Sequence, residues 1–471
     1  MDDMVRYAPL YLQVKDLILK KIVDEKYGPG MAIPTEQNLA KTYGTSLSTI
    51  RQAITLLVAD GVLSKKQGKG TFMAERKTEL TFLSWIGEAP RGQALLLELV
   101  DRFEATHPNI LIKIIPTTFP HTREDLLRLI SGGNAPDIAH IVSPWTAYFA
   151  SMGALAQVEG FLSAENLASR YTDKDLQGGT WNGKIYSVAW GLSPLSLIAN
   201  RNVLRDAGIE IGSSPLSLGE FSDICRKIGN CCADSRRFAY GINVRNDETD
   251  FLLSLYSFLL AFGGEFVDDA GRVVFNCPEN IEGFAWVRRF LKDTRTCADD
   301  LYALRERFAR NEIAFLTDGA WIKYILEELT GEPFEKNFMV ILNPTWKGRP
   351  SVTWNYNHAL AICSQSRNKY HAGIFIDAIT NDPELSDFYF SSTGHLPSNR
   401  NRLCAAPYDS EYFQAFKRQL ANAKCINAQN AMFEKAMVLA MDAVKKILFE
   451  DADIEKELNE KEYYLNMLYY G

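Results

Sequence analysis

No two of the eight cysteines in this 471-residue chain form a C-x-x-C pair; Cys225, Cys231, Cys232, Cys277, Cys297, Cys363, Cys404 and Cys425 are dispersed. Such scatter argues against a disulfide framework and reads as buried thiols in a reducing compartment, with a metal site around Cys225, Cys231 and Cys232 the remote alternative. Apolar runs long enough to span a bilayer are missing too. The opening MDDMVRYAPL has no basic stretch leading into an apolar core, so the expected location is the cytoplasm, with no membrane partner. There is no G-x-x-x-x-G-K-[ST] phosphate loop, H-E-x-x-H zinc helix or G-x-S-x-G nucleophile elbow, and paired acids such as Asp268–Asp269 and Asp299–Asp300 read as solvated turns. The expectation is a protein that is not an enzyme and carries no cofactor and no metal. Excess positive charge is confined to the front: residues 1–77 hold 12 Lys and Arg against 8 Asp and Glu, whereas the remainder holds 39 against 50. Only that front segment suits a polyanion, and an acidic body behind it fits a sensing unit. At 46% hydrophobic and 23% charged residues, the chain has core enough for two or three domains.

The segment Pro34–Phe72 reads as two short helices around a tight turn, followed by a basic hairpin. Thr35 is placed to cap a helix that Gly44 ends, and Ser46 to cap a second. The second helix sets Ile50, Ala53, Ile54 and Leu57 on one face and leaves Ser48, Thr49, Arg51, Gln52 and Thr55 on or near the other. Those outward groups are donors and acceptors suited to base edges or phosphate oxygens. Lys65, Lys66 and Lys69 surround Gly68 and Gly70, as in a two-stranded wing whose glycines permit a tight reversal and whose lysines face phosphate.

These residues resemble the GntR family of winged-helix regulators, matching P-S-E-x-x-L-A, V-S-R-x-T-V-R and a G-x-G-T wing in order over roughly the first 75 positions. A first helix from Leu10 to about Asp24 belongs to the same pattern, with Tyr11, Val14, Ile18 and Ile22 inward. Thr45, Ser46 and Leu47 stand where the family has V-S-R, a departure that bears on the operator sequence. The resemblance implies double-stranded operator DNA as partner and a homodimer as the functional unit. The expected DNA contacts are Thr35, Glu36, Ser46, Ser48, Thr49, Arg51, Gln52, Lys65, Lys66, Gly68, Lys69 and Gly70. The alternative use of such a module is contact with protein.

Behind a short join at about Ala74–Thr78, strands at Leu80–Ile86, Ile110–Ile115 and Asp137–Val142 alternate with helices at Gly92–Thr106 and Arg123–Ile130, the pattern of an α/β sheet with crossovers. F-E-A-T-H-P-N-I at Phe103–Ile110, A-P-D-I at Ala135–Ile138, W-N-G-K-I-Y at Trp181–Tyr186 and T-G-H-L-P-S-N at Thr393–Asn399 resemble, in order, an extracellular solute-binding protein of the sugar-transport type. The fold class that follows is an α+β winged helix at 1–76 and a two-lobed, periplasmic-binding-protein-like (type II) α/β body at 79–471. One lobe is expected at about 79–190 and 356–405, the other at about 191–355 and 406–471, with hinge crossings near Val188–Ser196 and Thr353–Leu360.

All eight tryptophans lie outside the front module. Sugar binding calls for flat aromatic faces and planar polar groups, which makes Trp85, Trp145, Trp190, Trp321 and Trp354 candidate walls and Ser143, Ser193, Asp318 and Asn357 candidate hydroxyl partners. At least two of the tryptophans are expected to line the cleft; His395 reads as a structural loop residue. The function expected is a DNA-binding regulator controlled by a small solute, most simply a sugar or oligosaccharide. The alternative is a GntR-type regulator carrying an aminotransferase-like domain with pyridoxal phosphate.

Overall fold

A computed structural model describes residues 9–25, 27–74, 77–162, 164–212, 214–231, 237–244, 248–268, 271–354, 357–424 and 430–470. Glu75 and Arg76 of the expected join, together with Asp269, Cys232 and Cys425, lie outside the described residues.

The front module is built from α1 (Leu10–Asp24), α2 (Glu36–Thr42) and α3 (Leu47–Ala59), then β1 (Leu63–Lys66) and β2 (Gly70–Met73), which pair antiparallel. Val14, Ile18 and Ile22 of α1 meet Ile50, Ala53, Ile54 and Leu57 of α3 in one apolar cluster, because residues three and four apart share a helix face. Tyr11 is only half-buried.

In the body, β3 (Thr78–Ser84), α4 (Pro90–Thr106), β4 (Ile110–Pro116), α5 (Thr122–Ser131) and β5 (Ile138–Val142) follow the expected alternation. The first strand is displaced from its expected bounds: it leaves the sheet at Ser84, and Ile86–Glu88 form a single tight turn that sets Trp85 just beyond the strand's C-terminal end. The first lobe's sheet runs Leu396–Pro397, Ser187–Leu192, His358–Ile362, β5, β3, β4, and the second lobe's runs Thr296–Asp299, Phe238–Asn243, Ile313–Asp318, Ser196–Asn200, Phe338–Ile341. The chain passes between them from Leu192 to Ser196 and returns after Trp354. These two crossings lie side by side, the Leu195 N–H donating to the Trp354 carbonyl at 3.1 Å, and the chain crosses a third time between Pro397 and the helix Glu411–Leu420, which packs on Phe338–Ile341. Helices Phe433–Phe449 and Ile454–Tyr470 close over the second lobe, packing on the helix Pro278–Asp293.

The front module does not hang free. Tyr370, from the first-lobe helix Lys369–Asn381, is 7% exposed and belongs to the module's own apolar cluster, with Ile374 and Phe161 beside it. Among the described residues, no helix is long and apolar enough to cross a membrane.

Candidate functional site

The nucleic-acid face begins with two helix caps. Thr35 Oγ1 accepts from the Asn38 N–H at 3.3 Å, and Ser46 Oγ accepts from the Thr49 N–H at 3.2 Å. Ser46 Oγ also lies 2.7 Å from Ser48 Oγ and 2.8 Å from Thr49 Oγ1, so three hydroxyls gather at the electropositive start of α3. Thr35 and Ser46 thus act on the backbone first. The Glu36 carboxylate accepts from Arg51 Nε at 2.7 Å and from Lys65 Nζ at 3.1 Å. The Arg51 hydrogen bond, then that of Lys65, holds the Glu36 carboxyl below the usual carboxylate range. One acid therefore ties the recognition helix to the wing and leaves the two terminal nitrogens of Arg51 without protein partners among the described residues. At the wing tip, the Lys69 N–H donates to the Lys66 carbonyl at 2.9 Å, with Gly68 and Gly70 at positive φ, and the Lys66 ammonium sits 4.9 Å from the Phe72 ring. Gln52 is exposed.

Between the lobes lies a slot walled by Trp85, Glu88 and Phe119 on one side and by Tyr302, Arg305, Trp321 and Tyr324 on the other, with His358 and His395 also lining it. Trp85 stacks on His140 with ring centroids 3.5 Å apart, and Trp145 backs the wall by stacking on Phe119 at 6.0 Å. Two glycines make room for this arrangement. A Cβ on Gly319 would stand 2.4 Å from the Trp321 ring, and one on Gly191 would stand 3.1 Å from His395.

Of the residues expected in the cleft, the structure brings Trp85 and Trp321 to its walls and Trp145 directly behind. Trp190 and Trp354 lie elsewhere. Both are 1% exposed, Trp190 stacked on Tyr389 at 4.5 Å and Trp354 edge-on to Tyr256 at 5.7 Å, because the strand carrying Trp190 is buried on both faces. Asp318 is buried in a two-pronged ion pair, accepting from Arg305 Nε at 2.8 Å and from Arg305 Nη2 at 2.9 Å. Burial opposes the Arg305 charge, but Asp318 outweighs it and holds the guanidinium protonated. Ser143 Oγ donates to the Asn357 carbonyl at 3.3 Å, while Ser193 Oγ and Asn357 Oδ1 are buried without hydrogen-bond partners among the described residues.

Glu88, Phe119, Tyr302, Arg305, Tyr324, His358 and His395 were not among the expected cleft residues, and His395 lies in the cleft lining rather than serving only its loop. The signal for two of the buried imidazoles was available: His140 and His358 interrupt strands that are otherwise apolar. Burial pushes the Glu88 carboxyl up, and burial holds His140 and His358 well below the usual imidazole value and His395 down to about 3. Among the described residues, no group of three or more His, Cys, Asp or Glu could hold a metal ion.

Comparison with known proteins agrees with this architecture. Residues 10–73 match the family model for bacterial regulatory proteins of the gntR family, and residues 88–384 match that for bacterial extracellular solute-binding proteins. A probable fructoselysine utilization operon transcriptional repressor of Escherichia coli is 44% identical over 85 residues, 18% of this chain and 35% of the relative. An uncharacterized lipoprotein of Streptomyces antibioticus is 33% identical over 148 residues, 31% of this chain and 32% of the relative. The chain thus spans about a third of the length of these curated relatives. The GacH receptor of Streptomyces glaucescens, solved unliganded and with acarbose, superposes with a TM-score of 0.73 at 18% identity, covering 84% of this chain and 99% of that one. The aminotransferase-like alternative gains no support, since the solute-binding family occupies the body where that domain would lie. The chain belongs to the bacterial extracellular solute-binding protein family and carries a gntR-family regulatory domain at its N-terminus.

Proposed function

We propose that this protein is a ligand-responsive transcription regulator of the cytoplasm and not an enzyme. Its winged helix binds an inverted-repeat operator as one half of a homodimer, since a single module buries too little surface to select a site. A neutral sugar or oligosaccharide in the interlobe slot shifts operator affinity. The observation that carries this reading is the slot itself: Trp85 and Trp321 face it from opposite lobes, on a body whose Tyr370 is embedded in the DNA module's core. Flat indole faces suit the C–H surfaces of a sugar ring, and closure of two lobes on a ligand is a recurrent switching motion. Within this reading, Ser48, Thr49, Arg51, Gln52, Lys65, Lys66 and Lys69 meet DNA, and Trp85 and Trp321 meet the effector, with Trp145 supporting the wall from behind.

The test is a thermal-shift screen of the full chain against neutral mono- and oligosaccharides, followed by selection of bound DNA from a random library with and without any hit. A ligand that binds only the native state raises the melting temperature by mass action, and a coupled effector shifts operator affinity by about 5- to 150-fold. Stabilisation by amino acids or nucleotides alone, with every sugar inert, would remove the carbohydrate assignment.

A further inference from the structure

Three buried histidines converge on the slot, and the hydrogen bonds around them favour one set of ring protons. Ser84 Oγ accepts from the Ile86 N–H at 3.3 Å, and among the described residues the acceptor within reach of its own proton is His140 Nδ1 at 3.1 Å. If Ser84 donates there, His140 carries its proton on Nε2 and donates to His358 Nδ1 at 3.1 Å. His358 is then protonated on Nε2, which has no partner among the described residues. The opposite tautomers would leave the Ser84 hydroxyl proton buried with no acceptor, a costly arrangement.

His395 is set independently. If Thr393 Oγ1 keeps its proton on the Tyr389 carbonyl at 2.9 Å, then toward His395 Nδ1, 3.0 Å away, it can only accept. The His395 proton is then on Nδ1, and Nε2 is a bare acceptor, buried and without a partner among the described residues, on a ring that is 1% exposed. The His358 and His395 rings stand 4.6 Å apart, and the Trp321 ring lies 5.4 Å from the first and 6.0 Å from the second.

We propose that His358 and His395 form a hydroxyl-reading pair: His358 Nε2–H donates to a ligand oxygen and His395 Nε2 accepts that group's proton, beside the Trp321 face. A hydroxyl is the simplest group that does both. A carboxylate or phosphate oxygen without a proton leaves His395 unsatisfied and meets its lone pair, so the pair selects a neutral polyol over an anion, and a hydroxyl over its deoxy or methyl-ether analogue. Sites built to hydrogen-bond a hydroxyl discriminate strongly, because the analogue strands buried polar groups. Burial keeps both imidazoles neutral near pH 7, so neither turns into an anion-binding cation.

The pair deepens the carbohydrate reading and rests on it for the ligand, but its tautomers are measurable without one. Nitrogen-15 NMR of the full chain labelled at histidine should show His358 protonated on Nε2 and His395 on Nδ1, assigned with His358→Phe and His395→Phe. Either opposite tautomer overturns the pair, whatever the protein binds. Titration with maltose, maltotriose and their monodeoxy and monomethyl derivatives then tests recognition. For whichever of the two sugars binds, one deoxy position should cost about 10- to 100-fold in the native protein and almost nothing in His395→Phe. His395→Gln, which offers an acceptor oxygen in the place of Nε2, should retain more affinity than His395→Phe. Equal losses from that deoxy position in native and His395→Phe proteins would overturn the pair while leaving the carbohydrate reading intact. If neither sugar binds, the carbohydrate reading loses support and the tautomers alone decide the pair.

Discussion

Arg91 of the first lobe reaches across the slot's mouth to Glu327 of the second, Nη2 to Oε2 at 2.9 Å, and its Nη1 donates to the Tyr324 carbonyl at 3.4 Å. The contact joins the two lobes across the slot, as the Arg123–Glu434 ion pair at 3.0 Å does elsewhere. Arg91→Ala should increase the radius of gyration of the ligand-free protein in solution scattering. Sugar affinity should fall about two- to fivefold, the size expected of a partly exposed ion pair. Scattering and affinity both unchanged would mean that the latch has no role in closure.

On the DNA face, Arg51→Ala should weaken operator binding by about 1–3 kcal/mol, the usual worth of a bidentate base contact. Glu36→Ala should act differently. Freed of their tether, Arg51 and Lys65 still attract phosphate, so binding to random DNA should hold or rise while the ratio of operator to random affinity falls. Competition binding at two salt concentrations separates the two effects. An unchanged ratio would leave Glu36 without an orienting function.

Asp318 was a plausible hydroxyl partner from its place in the chain, yet its carboxylate is committed to Arg305. Asp318→Ala should therefore cost stability, about 3–5 kcal/mol, by stranding a buried guanidinium. Denaturant unfolding measures that loss. A stable variant with selectively weakened sugar binding would return Asp318 to the ligand.

Stability should fall on mild acidification. Unfolded imidazoles titrate near 6.5, whereas His395 is held at about 3 and His371 at about 4 by burial, with His140 and His358 also lowered. The unfolded chain thus takes up protons that the native state refuses. The stability these neutral rings provide is fully present above about pH 6.5 and is lost as pH falls toward the folded values, at about 1.4 kcal/mol per pH unit for each histidine. Raised carboxyls such as Glu88 and Asp175 act in the opposite sense, so the informative comparison is His371→Phe, which should flatten the slope between pH 6.5 and 5 by about one proton. Equal slopes in calorimetry would show His371 titrating normally when folded.

Tyr370→Ala should separate the two binding activities. Sugar and operator should each still bind within about twofold, but the 5- to 150-fold linkage typical of coupled sites should shrink toward unity. Operator titrations with and without saturating sugar measure it. Full linkage in the variant would place the communication elsewhere.

The helix-turn-helix was legible because its signals are local: Thr35 and Ser46 cap their own helices, and the buried face of α3 repeats at helical spacing. The two-lobed α/β body was legible from the order of short motifs along the chain. Contacts between distant segments were not. His140 meets Ser84 across 56 positions and His358 across 218, and no periodicity links residues so far apart. Glu36 likewise reaches Arg51 and Lys65 only because α2, α3 and the wing fold onto one another. Trp190 shows a further limit: in a strand buried on both faces, alternation cannot tell the slot side from the core side.

The bond from Leu195 to the Trp354 carbonyl pins two of the crossings together, which favours a swing of one lobe against the other about that line. A swing has a single coordinate, its angle. A DNA module seated on one lobe at Tyr370 receives that angle and nothing of the ligand's chemistry, so any molecule that closes the slot equally far sends the same message. Discrimination among effectors is completed inside the slot, before the message is formed.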